Sequence, residues 1–261
     1  GLRCDDRRDA RRACCRVVAR TNEVSRPRTH EVSRPRDGRR FDAVLIDLDG
    51  TLLDTAGDLA QATNAMLRAL GRAERTRDEV VNYIGKGTPR LIHRALSGHM
   101  TADAEPALFA QATALFEAQY SAHSGDTVEI YPGVEAGLAR FRAAGLGLAC
   151  VTNKPRRFTV ALLDRMALTS RFDVIICGDD VARPKPDPAA FLLGAERLGV
   201  APARSLVIGD SANDAIAGRA AGCTVFVVPY GYREGEPVGA LPADRVVATL
   251  DEAAQLVLDG Y

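Results

Sequence analysis

Apolar runs of strand length recur at 43–46, 147–151, 173–177, 205–208 and 224–228, and each of the first four ends in a polar, loop-like cluster. Between them, 133–144, 155–167, 188–198 and 212–221 carry apolar residues at helical spacing. Strands alternating with helices at these intervals predict βαβ units and a parallel sheet covered on both faces, a three-layer α/β fold. Function is then expected at the carboxyl ends of the strands. One interval breaks the rhythm. From 56 to 129 there is no strand signal, only helical periodicity at 59–70, 78–84, 91–96 and 104–120. That is too long for one crossover helix, and predicts a helical cap domain (56–129) inserted into a core made of 41–55 and 130–261. Thr55 and the stretch 127–132, where the insert joins, are the expected hinges.

Residues 1–40 show neither pattern. They contain a direct repeat, Glu23-Val24-Ser25-Arg26-Pro27-Arg28 followed by Glu31-Val32-Ser33-Arg34-Pro35-Arg36, and their charge and prolines predict a disordered Arg-rich tail. The tail lacks the apolar stretch of a signal peptide, and its acids argue against a transit peptide. With 46% apolar and 26% charged residues the 261-residue chain is globular in composition. No apolar run reaches the eighteen or more residues of a membrane span.

Thirty-four basic residues balance 34 acidic ones, which argues against nucleic acid as a partner of the whole chain. The balance is uneven, because 13 arginines and 6 acids lie in 1–40, leaving 21 basic and 28 acidic residues for the body. Only three cations are lysine: Lys86, Lys154 and Lys185. Of six cysteines, Cys4, Cys14 and Cys15 fall in the tail and Cys150, Cys177 and Cys223 in apolar parts of the body. None forms a C-x-x-C pair, so buried free thiols in a reducing cytoplasm are expected.

The first strand runs into Asp47-Leu48-Asp49-Gly50-Thr51. Two carboxylates two residues apart at the end of a buried strand resist joint ionisation. A divalent cation relieves this, and hard oxygen ligands suit Mg²⁺, which leaves positions for water and phosphate. A bare acidic turn, with Gly50 supplying a positive φ, is the plain alternative. The second strand ends at Thr152-Asn153-Lys154-Pro155. There a hydroxyl and amides at a helix start form an anion cradle, or simply an N-cap. A third cluster, Gly178-Asp179-Asp180, leads to Pro184-Lys185-Pro186, which holds a lysine on a stiff backbone. The fourth strand ends in Gly209-Asp210-Ser211-Ala212-Asn213-Asp214. The four-residue spacing lets both acids face one pocket, although an acid there also caps a helix.

Four such clusters in this order resemble the haloacid dehalogenase superfamily of phosphotransferases. The body from Phe41, with a late Tyr230-Gly231-Tyr232, is similar to bacterial phosphoglycolate phosphatases. The resemblance implies a Rossmann-like core with a cap, and Mg²⁺-dependent hydrolysis of 2-phosphoglycolate. Asp47 would be the nucleophile that forms an aspartyl-phosphate, and Asp49 the general acid and base. Mg²⁺ would be held by the Asp47 carboxylate, the Asp49 carbonyl and the Asp210 carboxylate, supported from behind by Asp214. Thr152, Asn153 and Lys185 would grip the phosphoryl oxygens, while the side-chain direction of Lys154 stays open. Asp49 also sets the chain apart from relatives that cleave carbon–halogen bonds or phosphonoacetaldehyde.

The insert carries Gly85-Lys86-Gly87-Thr88-Pro89-Arg90. Similar turns in caps of the superfamily hold the non-reacting end of the substrate, so Lys86 and Arg90 are expected to contact a small anion with a second negative group. Lys86 departs from the commoner neutral residue between the two glycines. A phosphatase of another small phosphate ester (sugar phosphate, nucleotide or pyrophosphate) and a β-phosphoglucomutase-like phosphomutase are the alternatives. Monomer and homodimer both stay open.

Overall fold

The computed structural model describes residues 38–261. The repeat, Cys4, Cys14, Cys15 and most of the expected disordered segment lie outside the described residues. Within them, Arg39 and Arg40 belong to the folded body. The Arg40 guanidinium lies 4.7 Å from the centre of the Tyr261 ring, and Arg39 donates to the Ala144 carbonyl.

The elements in chain order begin with β1 (Ala43–Ile46) and β2 (Leu53–Asp54). Helices α1 (Ala56–Ala69), α2 (Arg77–Tyr83), α3 (Gly87–Ser97) and α4 (Pro106–His123) follow, and then β3 (Glu129–Ile130) and α5 (Val134–Ala143). Next come β4 (Gly147–Val151), α6 (Arg156–Arg165), β5 (Val174–Ile176) and α7 (Ala189–Leu198). The chain ends with β6 (Ser205–Gly209), α8 (Ala212–Ala220), β7 (Thr224–Val227), β8 (Arg245–Val246) and α9 (Leu250–Leu258).

Six strands form one parallel sheet in the order β5-β4-β1-β6-β7-β8. Ala43 stands beside Gly147 on one side and Ser205 on the other, so β1 is central. Its flanking strands come from opposite directions along the chain, which makes its carboxyl end the crevice where such sheets bind ligands. Alternate residues feed two cores. Val44, Ile46, Leu148, Cys150, Leu206 and Ile208 pack with Leu138 and Phe141 of α5 and Leu250 and Ala253 of α9. Leu45, Ala149, Val151, Val207 and Val225 pack with Phe191 of α7 and Ala215 of α8. Both faces of the sheet are therefore dry, which explains why the strands read as unbroken apolar runs.

Helices α1 to α4 bury their own core, including Met66, Val80, Ile92 and Phe116, all fully or almost fully buried. Phe158 and Tyr232 of the sheet body join that cluster. Strands β2 and β3 pair antiparallel, Leu53 with Ile130 and Asp54 with Glu129, so the chain leaves and rejoins the body through a short ribbon. Asp58 in the first turn of α1 accepts from the Thr127 amide (2.9 Å) and hydroxyl (2.6 Å), which ties the two connections together.

Candidate active site

One cavity at the carboxyl end of β1 is lined by Asp47, Asp49, Thr152, Asn153, Lys154, Lys185, Asp210 and Asp214. Helices α1 and α3 and the turn between α2 and α3 supply Leu59, Ile84, Gly85, Thr88 and Leu91 to the same wall. Residues far apart in the chain are thus delivered to one place by the ends of β1, β4 and β6 and the loop before α7.

Lys185 sits at the centre and is 3% exposed. Its Nζ donates to Asp47 Oδ1 (2.6 Å), Asp214 Oδ1 (2.6 Å) and the Val151 carbonyl (2.9 Å), which uses all three of its donors. Burial pulls its ammonium down, but the two carboxylates outweigh burial and hold it above the ordinary lysine range. Asp47 is pushed up from 3.8 to about 7, first by burial, with Lys185 opposing and Asp214 adding to the rise. Asp210 also lies well above the usual carboxylate range, because burial and then its neighbours Asp214 and Asp47 penalise its charge. It accepts from the Thr51 hydroxyl (3.2 Å) and the Tyr232 amide. Asp214 closes a capping box with Ser211 at the start of α8, while its other oxygen meets Lys185. It therefore caps the helix and faces the cavity at once.

Oxygens of Asp47, Asp210 and Asp214 all lie within 4.8 Å of one another. Four carboxyl groups line the cavity against two ammonium groups, an excess of two negative charges when all four are ionised. Asp210 has no cationic partner among the described residues. A donor set of hard oxygens with this charge deficit fits a divalent cation.

Asp49 is held from two sides, with Oδ1 accepting from the Thr55 hydroxyl (2.7 Å) and from Lys154 Nζ (2.9 Å). Lys154 points inward, and the ring of Tyr120 from α4 backs its ammonium at 4.9 Å. The Asn153 side chain is spent on the scaffold, donating to the Gly85 and Lys185 carbonyls (3.0 and 2.9 Å) and accepting from the Lys185 amide (2.8 Å). Its amide stitches three segments together, which differs from a direct grip on phosphate.

Lys86 and Arg90 do not line the cavity. Arg90 donates to the Thr101 and Ala102 carbonyls and to Asp103 (2.7 Å), because the turn after α3 brings three acceptors to it. Lys86 is 3.8 Å from Glu234, which also receives the buried Arg94 guanidinium at 3.0 and 3.2 Å.

A family model described as a haloacid dehalogenase-like hydrolase matches residues 41–222. The chain belongs to this family. The hydrolase is 50% identical over 215 residues to the phosphoglycolate phosphatase of Thiobacillus denitrificans, covering 82% of this chain and 95% of that protein. A crystal structure of a predicted phosphoglycolate phosphatase from Haemophilus somnus aligns with a TM-score of 0.79 at 28% identity, over 83% of this chain and 98% of that one. CbbY from Rhodobacter sphaeroides in complex with phosphate aligns at 0.71 and 29% identity, over 84% and 99%.

The sequence marks Gly50, Gly231 and Tyr232 without showing what they do in the hydrolase's site. Gly50 has φ +90°, and a Cβ there would collide with Asp210 and touch the Tyr232 ring. A Cβ on Gly231 would strike both Asp210 and the Gly50 carbonyl, so the Asp210 carboxylate is clamped between two glycines. The Tyr232 hydroxyl donates to Asp54 (2.5 Å) and accepts from the Thr55 and Ala56 amides (2.8 and 3.0 Å). The late Tyr-Gly-Tyr motif was visible as a string, but its position against the first strand's loop was not.

Proposed function

We propose that this hydrolase cleaves 2-phosphoglycolate to glycolate and phosphate, with Mg²⁺ and an aspartyl-phosphate on Asp47. The observation that carries this reading is the buried juxtaposition of Asp47 and Asp49 with Lys185, Asp210 and Asp214 at the end of β1. The 50% identity to a protein named phosphoglycolate phosphatase supports the substrate.

Lys185 bonds Asp47 Oδ1, so the other oxygen is the one that attacks phosphorus. Asp49 protonates the departing alkoxide and then takes a proton from the water that hydrolyses the acyl-phosphate, which splits one displacement into two. The Thr152 hydroxyl, the Asn153 main-chain amide and Lys185 hold the phosphoryl oxygens, and losing one such donor typically costs about 10²–10³ in rate. The metal would be held by the Asp47 carboxylate, the Asp49 carbonyl and the Asp210 carboxylate, with Asp214 steadying them through Lys185 and Ser211. When bound, it supplies positive charge that keeps the carboxylates ionised and offsets the charge of the phosphoryl group. The helical insert, 56–129, is read as a cap over a core of 41–55 and 130–261, hinged at Thr55 and 127–132. It excludes water when closed. Buried, unpaired Cys150, Cys177 and Cys223 support a reducing cytoplasmic setting. Among the described residues no helix is long and apolar enough to cross a membrane.

The test is a steady-state panel of 2-phosphoglycolate, sugar phosphates, nucleotides and pyrophosphate, with Mg²⁺ and after chelation. A kcat/KM for 2-phosphoglycolate above the rest, lost on chelation, is expected. Equal or better turnover of another ester would sink the substrate assignment, and isomerised sugar phosphate without net phosphate release would make the chain a phosphomutase.

A further inference from the structure

We propose that Lys154 recognises the carboxylate of the substrate, and so sets a preference for phosphate esters whose leaving alcohol carries an anion one carbon from its oxygen. This rests on the reading of the cavity as a phosphatase site for 2-phosphoglycolate.

Among the described residues, the cations that line the cavity are Lys154 and Lys185. Lys185 rests on Asp47, Asp214 and the Val151 carbonyl, and on the proposed mechanism any donor it frees goes to the phosphoryl group, so it does not serve a second anion. Lys86 and Arg90, the residues the insert's motif pointed to, are engaged by Glu234 and by Asp103 outside the cavity. Lys154 is different. It is 5% exposed, and among the described residues its Nζ bonds one group, the Asp49 carboxyl, at 2.9 and 3.2 Å.

Its location fits the geometry of the ester. Asp49 is the residue proposed to protonate the leaving oxygen, so that oxygen must come within hydrogen-bond reach of it. In 2-phosphoglycolate the carboxylate is one methylene away from the same oxygen. An ammonium 2.9 Å from Asp49 Oδ1 is therefore placed to reach the substrate carboxylate beside Asp49. The lysine is also pre-set for the task. Its own amide donates to the Thr152 hydroxyl (3.1 Å), and the Tyr120 ring of α4 lies 4.9 Å from the ammonium. A fixed cation loses little freedom on binding, which is how pre-organised sites gain affinity. Tyr120 belongs to the insert and Lys154 to the body, so recognition is complete only with the insert in place.

The experiment compares 2-phosphoglycolate with ethyl phosphate, in which a methyl replaces the carboxylate, in the full chain with Mg²⁺. Lys154→Gln removes the charge. A drop in kcat/KM on the order of 100-fold for 2-phosphoglycolate, carried mainly by KM, is expected, with ethyl phosphate changed only a few-fold. Lys154→Arg returns part of the preference. Parallel loss on both esters would make Lys154 a partner of Asp49 alone and overturn the proposal. Because Lys154 is buried, Lys86→Gln on an exposed side chain is the second variant. It keeps the preference on this account, and collapse of the preference through Lys86 overturns it. A wild-type enzyme with no preference between the two esters would refute the substrate reading itself. A wild-type preference that survives Lys154→Gln refutes only the role of Lys154.

Discussion

Asp47, on the proposed mechanism, must act as a carboxylate in a place that penalises charge. Burial raises its pKa and Lys185 restrains the rise, so the nucleophile depends on its cationic neighbour. Asp47→Asn keeps the shape and removes the nucleophile. Turnover should fall by at least about 10³ while the thermal unfolding curve stays cooperative. Persistent turnover in that variant would move the chemistry to another residue. The Asp210 carboxylate makes a second prediction at this scale. Gly231→Ala places a methyl where Asp210 and the Gly50 carbonyl already stand, so Mg²⁺ binding measured by calorimetry should weaken at least about tenfold, with a stability cost of about 1–3 kcal/mol. Unchanged binding would mean that the clamp on Asp210 is not needed. The four acidic and basic clusters were legible as residue types at strand ends. Side-chain direction was not legible, because it is set by partners from distant segments. Tyr120 and Asp49 turn Lys154 inward, Asp103 turns Arg90 away, and Gly85 and Lys185 claim the Asn153 amide.

The five long strands were readable because they are apolar and mostly buried; β1 and β4 coincide with the expected runs, and β5, β6 and β7 differ by one residue at one end or both. The two-residue strands β2, β3 and β8 carry no periodic signal, since pairing at that length is decided by what lies opposite. Helix α3 starts four residues before its apolar stripe, at Gly87, because Pro89 is tolerated in a first turn where amides lack intrahelical partners. Arg94 of α3 is 2% exposed and pairs with Glu234 from the loop after β7. It also donates to the Tyr83 and Met100 carbonyls at 3.0 and 2.9 Å, so the pair locks one element into a specific seat. Glu234→Gln should cost about 2 kcal/mol in urea unfolding, since the buried guanidinium loses a charged acceptor. A change within error would show that the carbonyls alone satisfy Arg94.

For the molecule as a whole, the even charge of the sequence conceals an acidic body, and the structure concentrates part of that excess in one cavity. This has a consequence for stability. Asp47 binds its proton more tightly when folded, at about 7 against 3.8. Its stabilising contribution is therefore fully present below about pH 4 and is lost as the pH rises through about 7. A divalent cation reverses the penalty, because it requires the ionised carboxylates. The thermal shift produced by Mg²⁺ should accordingly grow from about pH 5 to about pH 8, and Asp47→Asn should flatten that growth. A shift independent of pH would contradict the coupling between the metal and these carboxylates.

The most direct test of the central claim is a single turnover of 2-phosphoglycolate with enzyme in excess, acid-quenched over time. Glycolate should appear before phosphate while the peptide containing Asp47 gains and then loses one phosphoryl group. Glycolate and phosphate released in step, with that peptide unmodified throughout, would contradict the account.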